Sequence, residues 1–207
     1  MGKSDIIIQY LLDTYHPDSI ILYGSFADGS ENMNSDFDAL VIANCSKRHD
    51  ATVIDNTTLD VFVYPSETFT TEYDPEEFVQ VFDGNIILDK NGMAKQLKSR
   101  VLDYIGHQEK KSSADISEEI EWCEKMILRT ARGDAEGYYR WHWLLFDSLE
   151  IYFDLIGQHY YGPKKALRHM EHSDPVGYTL YTKALMQLDH DSLSEWVSYM
   201  KGLSSAR

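Results

Sequence analysis

The sequence predicts an α+β protein, with a small mixed sheet and its flanking helices over residues 1–92 and a C-terminal helical bundle over residues 93–207. Three observations predict it. Apolar runs of strand length, at Ser19 to Tyr23, Phe37 to Ala43, Thr58 to Tyr64 and Asn85 to Leu88, are confined to the first part. Past the turn signal Asp89-Lys90-Asn91-Gly92 the apolar spacing becomes helical and stays so. Charge divides at the same place: residues 1–92 carry 4 Lys and Arg against 17 Asp and Glu, and residues 93–207 carry 15 against 17.

A helix from about Ser4 to Tyr15, with Ile6, Ile7, Tyr10 and Leu11 on one side, precedes the first strand. Pro75 opens a short helix to Phe82, because proline fits the first helical turn, where its missing N–H is not needed. Helices are then expected at Met93 to Glu109, Asp115 to Arg132, Asp134 to Gly157, Pro163 to Glu171, Pro175 to Leu188 and Ser192 to Leu203. Asp115 with Glu118 resembles a capping box, and Gly133 and Gly157 sit where helices stop. Tyr138 to Ile156 is apolar nearly all round, which makes it the central helix of the bundle or a surface shared with another domain or subunit. A homodimer is therefore compatible with the sequence.

The chemistry concentrates in the first part. Gly24-Ser25 follows the first strand, ten residues intervene, and Asp36-Phe37-Asp38 leads into the next strand. Asp60 lies inside the later run Leu59 to Val63. In a strand, residues two apart share a face, so Asp36 and Asp38 are expected to point together, with Asp60 beside them if the strands are neighbours. Carboxylates about 5 Å apart repel by about 3 kcal/mol at an effective dielectric of 20, and a divalent cation removes the conflict. An all-oxygen set suits Mg²⁺, with Mn²⁺ as the alternative, better than zinc. Gly24 and Ser25 are candidate phosphate contacts, since a missing side chain lets backbone N–H groups approach closely. Gly162-Pro163-Lys164-Lys165, at a helix start, adds ammonium groups to helix N–H groups, with Lys165 the first candidate for a phosphate and Lys164 the second. Asp147, Glu150 and Asp154, at i, i+3 and i+7, share one helix face and are candidate bases. Tyr178 and Tyr181 are read as packing residues or as stacking partners for a base, and His169 and His172 as surface residues.

The segment Tyr23-Gly24-Ser25-Phe26-Ala27-Asp28-Gly29 through Ser35-Asp36-Phe37-Asp38, with Asp60 as a third carboxylate, resembles the nucleotidyltransferase superfamily related to polymerase beta. It is most similar to the small antibiotic-modifying members, of the aminoglycoside and lincosamide type. That resemblance implies that Asp36 and Asp38 bind two Mg²⁺ ions, that Asp60 completes one metal site or assists the nucleophile, and that Gly24 and Ser25 hold nucleotide phosphates. It also implies that a lysine-bearing turn such as Lys164-Lys165 contacts the triphosphate. At one position the chain departs: Asp28 stands where many relatives carry a basic residue. The activity implied is transfer of a nucleoside monophosphate from an NTP co-substrate to a hydroxyl of a small molecule, with release of pyrophosphate. The alternatives are an AMP-transferase acting on a protein, of antitoxin type, and a non-catalytic nucleotide-binding module.

Composition narrows the partners. With a net charge of −15 the chain disfavours duplex nucleic acid, whose affinity comes largely from clustered Lys and Arg, and suits a neutral or cationic small acceptor. No run approaches the roughly 18 apolar residues of a membrane span, and no leader is evident at Met1 to Asp5, so a soluble cytoplasmic protein is expected. Cys45 and Cys123 read as buried thiols in a reducing compartment.

Overall fold

Strand β2 (Phe37–Ala43) is apolar along almost its whole length, and the computed structural model, which describes residues 2–205, places it within a six-stranded sheet. Its neighbours are β1 (Ser19–Leu22) on one side and β5 (Thr57–Pro65) on the other, in the order β3-β5-β2-β1-β6, with β3 (Arg48–Asp50) and β6 (Asn85–Asp89) at the edges. A two-residue strand β4 (Val53–Ile54) also pairs with β5. Among the described residues only β2 and β5 run parallel and the other pairings are antiparallel, so the sheet is mixed as expected.

Continuous hydrophobicity in β2 follows from cover on both faces. One row, Phe37, Ala39 and Val41 with Leu59, Val61 and Val63 of β5, packs with Ile7 and Leu11 of helix α1 (Lys3–Tyr15). The opposite row, Leu40 and Ile42 with Tyr64, packs with Phe69, Phe78 and Val81 of two 3₁₀ segments (Ser66–Phe69 and Pro75–Val81) and with Ala94, Leu97 and Val101 of α3 (Met93–His107). The segment at Pro75 is thus a 3₁₀ turn, begun by Asp74, whose side chain accepts from the Glu76 N–H.

The chain forms two compact units, Met1–Gln108 and Glu109–Arg207. This boundary falls after α3, whereas the change of periodicity placed it before Met93. Helical spacing reports a helix but not what its apolar face covers, and that of α3 covers the sheet. The first unit thereby gains Lys95, Lys98 and Arg100, and its shortage of cations is less severe than a division at Gly92 suggests.

The second unit comprises α4 (Ser113–Thr130), α5 (Ala135–Ile156), α6 (Pro163–Ser173), α7 (Pro175–Gln187) and α8 (His190–Ser205). Helix α4 starts earlier than expected because Ser112 is its cap: the Ser112 hydroxyl accepts from the Asp115 N–H while the Asp115 carboxylate accepts from the Ser112 N–H. As its sequence predicts, α5 is central to the bundle and contributes more to the core than any other helix of the unit, with Trp141, Leu144, Leu145, Leu149, Tyr152 and Phe153 buried. Two polar groups inside are satisfied, the Trp196 indole N–H donating to Ser148 Oγ at 3.0 Å and the Tyr181 hydroxyl to the Leu145 carbonyl at 2.9 Å, whereas the buried Trp141 indole N–H has no hydrogen-bond partner among the described residues. Tyr181 is therefore a packing residue. Cys123 lies in this core, where burial pushes its thiol up to about 12, whereas Cys45 is only partly buried. Among the described residues no helix is long and apolar enough to cross a membrane.

Candidate functional site

Parallel pairing of β2 with β5 sets Asp38 directly beside Asp60, as Cα partners in the register. Both belong to the row that continues into Leu40 and Ile42, or Phe62 and Tyr64, and both are only partly buried. The apolar members of that row are covered by α3 and the 3₁₀ segments, so the two carboxylates mark where a buried surface becomes polar.

Gly24 shapes the space next to them. Its backbone, at φ 68° and ψ −152°, lies in a region that is essentially open to glycine alone. A Cβ added there would stand 2.2 Å from Asp38 Oδ2 and 2.9 Å from its Cγ. The turn from β1 therefore passes against the Asp38 carboxylate, and only a residue without a side chain permits it. The Tyr23 N–H donates to the Asp38 carbonyl at 3.0 Å, the Gly24 carbonyl accepts from the Ala27 N–H, and Asn85 of β6 donates to the Ala27 carbonyl. Ser25, the first residue of the one-turn helix α2 (Ser25–Asp28), is buried.

Asp36 is exposed, one residue before β2 begins. The pleat that directs Asp38 therefore does not extend to it, although the turn before it is ordered by the Asn32 N–H donating to Ser35 Oγ and the Asn34 N–H to Asn32 Oδ1. Lys164 and Lys165 lie in the first turn of α6, in the second unit, Lys164 exposed and Lys165 partly buried. Asp147, Glu150 and Asp154 do share one face: with Lys111, Glu119, Trp122 and Ile151 they line an open cavity of about 380 Å³ in the second unit. There burial raises the Asp147 carboxyl, and Lys111 pairs with Asp154 at 2.7 Å and with Glu119.

Two side chains at the carboxylate pair were not singled out from the sequence. Tyr23 is buried, and burial followed by the charges of Asp60 and Asp38 raises its phenol well above the ordinary value. His49 of β3 sets Nε2 2.7 Å from Asp60 Oδ1, and its ring stacks on Phe62 with centroids 4.7 Å apart. A signal for His49 was present. Asp55 and Asn56, both at positive φ, form a two-residue turn of the kind that closes a hairpin, and folding the chain back there carries Arg48-His49-Asp50 alongside β5.

Among the described residues no three His, Cys, Asp or Glu side chains stand close enough to hold an ion unaided. A pair of carboxylates set side by side, with a glycine turn packed against one of them, suits Mg²⁺ or Mn²⁺. Such an ion commonly takes one or two protein carboxylates and completes its shell with water and phosphate oxygens.

Comparison with known proteins bears on this arrangement. A family model described as nucleotidyltransferase domain matches residues 4–127, more than half of the chain. No curated protein matches the sequence. Among solved structures the chain is similar to a nucleotidyltransferase-like protein from Exiguobacterium sibiricum 255-15, at 14% identity and a TM-score of 0.41, over 99% of this chain and 73% of that one.

Proposed function

We propose, from the premise that this chain belongs to the nucleotidyltransferase domain family, that it moves a nucleoside monophosphate from an NTP to a hydroxyl of a small molecule. In that reaction the acceptor oxygen forms a bond to the α-phosphorus, the bond from that phosphorus to the bridging oxygen breaks, and pyrophosphate leaves. The hydroxyl proton passes to a base. What supports the reading is the pair Asp38 and Asp60, held side by side by parallel register, with the glycine turn at Gly24 packed against one of them.

In this proposal Asp38 and Asp60, joined by Asp36 of the preceding loop, hold the divalent ion, and Gly24 and Ser25 bring backbone N–H groups to the phosphates. When bound there, the ion neutralises phosphate charge and helps align attack with the departing group. The protein otherwise positions reactants, which is most of what phosphoryl-type transfer requires. An acceptor that is neutral or cationic fits the net charge of −15.

A screen of the four triphosphates with Mg²⁺ against pooled small acceptors, read as pyrophosphate release, tests the proposal. Acceptor-dependent release that falls about 100-fold or more in Asp38→Asn is expected. Undiminished turnover in that variant would refute the assigned role of Asp38. Release that depends instead on an added protein, which gains the mass of a nucleotide, would identify the acceptor as a protein.

A further inference from the structure

We infer that His49 is a positioning residue for Asp60, an inference that rests on the reading of Asp38 and Asp60 as a cation-binding pair. Strand β3 is three residues long and lies at the sheet edge, and the His49 side chain is 48% exposed, so the imidazole contributes little to the core. Its contacts point elsewhere. Antiparallel register sets His49 opposite Phe62, and the two rings lie nearly parallel, 25° between planes. Held on that ring, Nε2 reaches Asp60 Oδ1 at 2.7 Å, and because a carboxylate only accepts, the proton of this hydrogen bond belongs to the imidazole.

The consequence is for the carboxylate. An aspartate side chain has broad freedom about its last torsion, and one that is 42% exposed is not held by packing. Engaging one oxygen fixes the plane of the group and leaves the second oxygen for an ion shared with Asp38. Hydrogen bonds of this kind to ligating carboxylates orient them and sustain metal affinity. His49 thus prepares Asp60 before an ion arrives, and it acts through Asp60 alone.

Manganese binding followed by electron paramagnetic resonance of the free ion tests this without reference to turnover, using the full chain. His49→Ala is expected to weaken Mn²⁺ binding about tenfold while the melting temperature stays unchanged. His49→Gln, which retains an N–H at similar reach, is expected to recover most of the loss. In an Asp60→Asn background His49→Ala is expected to add nothing. If the unaltered protein binds Mn²⁺ and loses it in Asp38→Asn, but His49→Ala binds as tightly as the unaltered protein, the inference is overturned and the cation site stands. If loss in His49→Ala is not recovered by His49→Gln, or persists undiminished in the Asp60→Asn background, the positioning role is likewise overturned. Should the unaltered protein bind no Mn²⁺, the cation reading itself fails, and the inference with it.

Discussion

A methyl group at position 24 would meet the Asp38 carboxylate at 2.2 Å, closer than any real contact, on a backbone that side chains avoid. Gly24→Ala therefore displaces Asp38 as well as straining the turn, and we expect a loss of about 1–3 kcal/mol in stability with turnover falling further than stability does. Thermal melts beside pyrophosphate-release rates check it; a variant with normal turnover would show that Asp38 can move without consequence. Gly29 makes the contrast. It also has positive φ, 72°, but nothing lies within 4 Å of an added Cβ, so strain alone acts on Gly29→Ala. In the bundle, Ser148 accepts from the buried Trp196 indole at 3.0 Å. Ser148→Ala leaves that N–H unsatisfied, and we expect it to cost about 1–3 kcal/mol, read as a lower denaturation midpoint.

Helix α3 shows how an element can belong to one part of the chain by pattern and to another by packing. Its periodicity matches the helices after it, yet Ala94, Leu97 and Val101 are fully buried in the core of the sheet unit. Removing side chains the size of Leu97 and Val101 from a core costs about 1.5–3 kcal/mol each, against a total stability of about 5–15 kcal/mol. A fragment of residues 1–108 is accordingly expected to unfold in a cooperative transition, and one of residues 1–92 to lack it, by circular dichroism on heating. The arm Arg48 to Ile54 was missed for another reason. Its two strands are too short and too polar to show a period of two, and only the turn at Asp55-Asn56 betrays that it folds back on β5. His49 reaches Asp60 through that arm.

For the whole molecule, acid stability depends on carboxylates in both units. Burial acts to raise Asp50, but hydrogen bonds from Thr52, Tyr15 and Tyr10 outweigh it and hold the carboxyl below its ordinary value. Asp174 is held low in the same way, burial being outweighed by the Gly177 N–H and the hydroxyls of Tyr152 and Tyr199. A carboxyl lower in the folded than in the unfolded chain stabilises fully above the unfolded value, near 4, and that contribution disappears as pH falls through the folded value. Asp147, raised by burial, has the opposite sign and stabilises most at low pH. With Asp50 and Asp174 lowered, as Asp115, Asp134, Glu136 and Asp189 are at the surface, against a raised Asp147, stability is expected to decline as pH drops below about 4, and the decline to be shallower in Asp50→Asn and Asp174→Asn. Denaturant midpoints measured from pH 7 to pH 2.5 check the direction.

Much of this was legible from residue order. Strand runs, helix caps and the spacing from Gly24 to Asp38 are local, because periodicity, turn chemistry and side-chain volume act within a few residues, and they sufficed for the α+β class and for the nucleotidyltransferase resemblance that the family match bears out. Register is different. Whether β5 lies beside β2, and in which direction, depends on burying two apolar rows at once, and this alone made Asp38 and Asp60 partners while leaving Asp36 outside the strand. The same long-range packing drew α3 into the sheet unit and brought His49 to Asp60. Local chemistry thus marked the candidate groups, and the burial of distant apolar faces decided which of them meet.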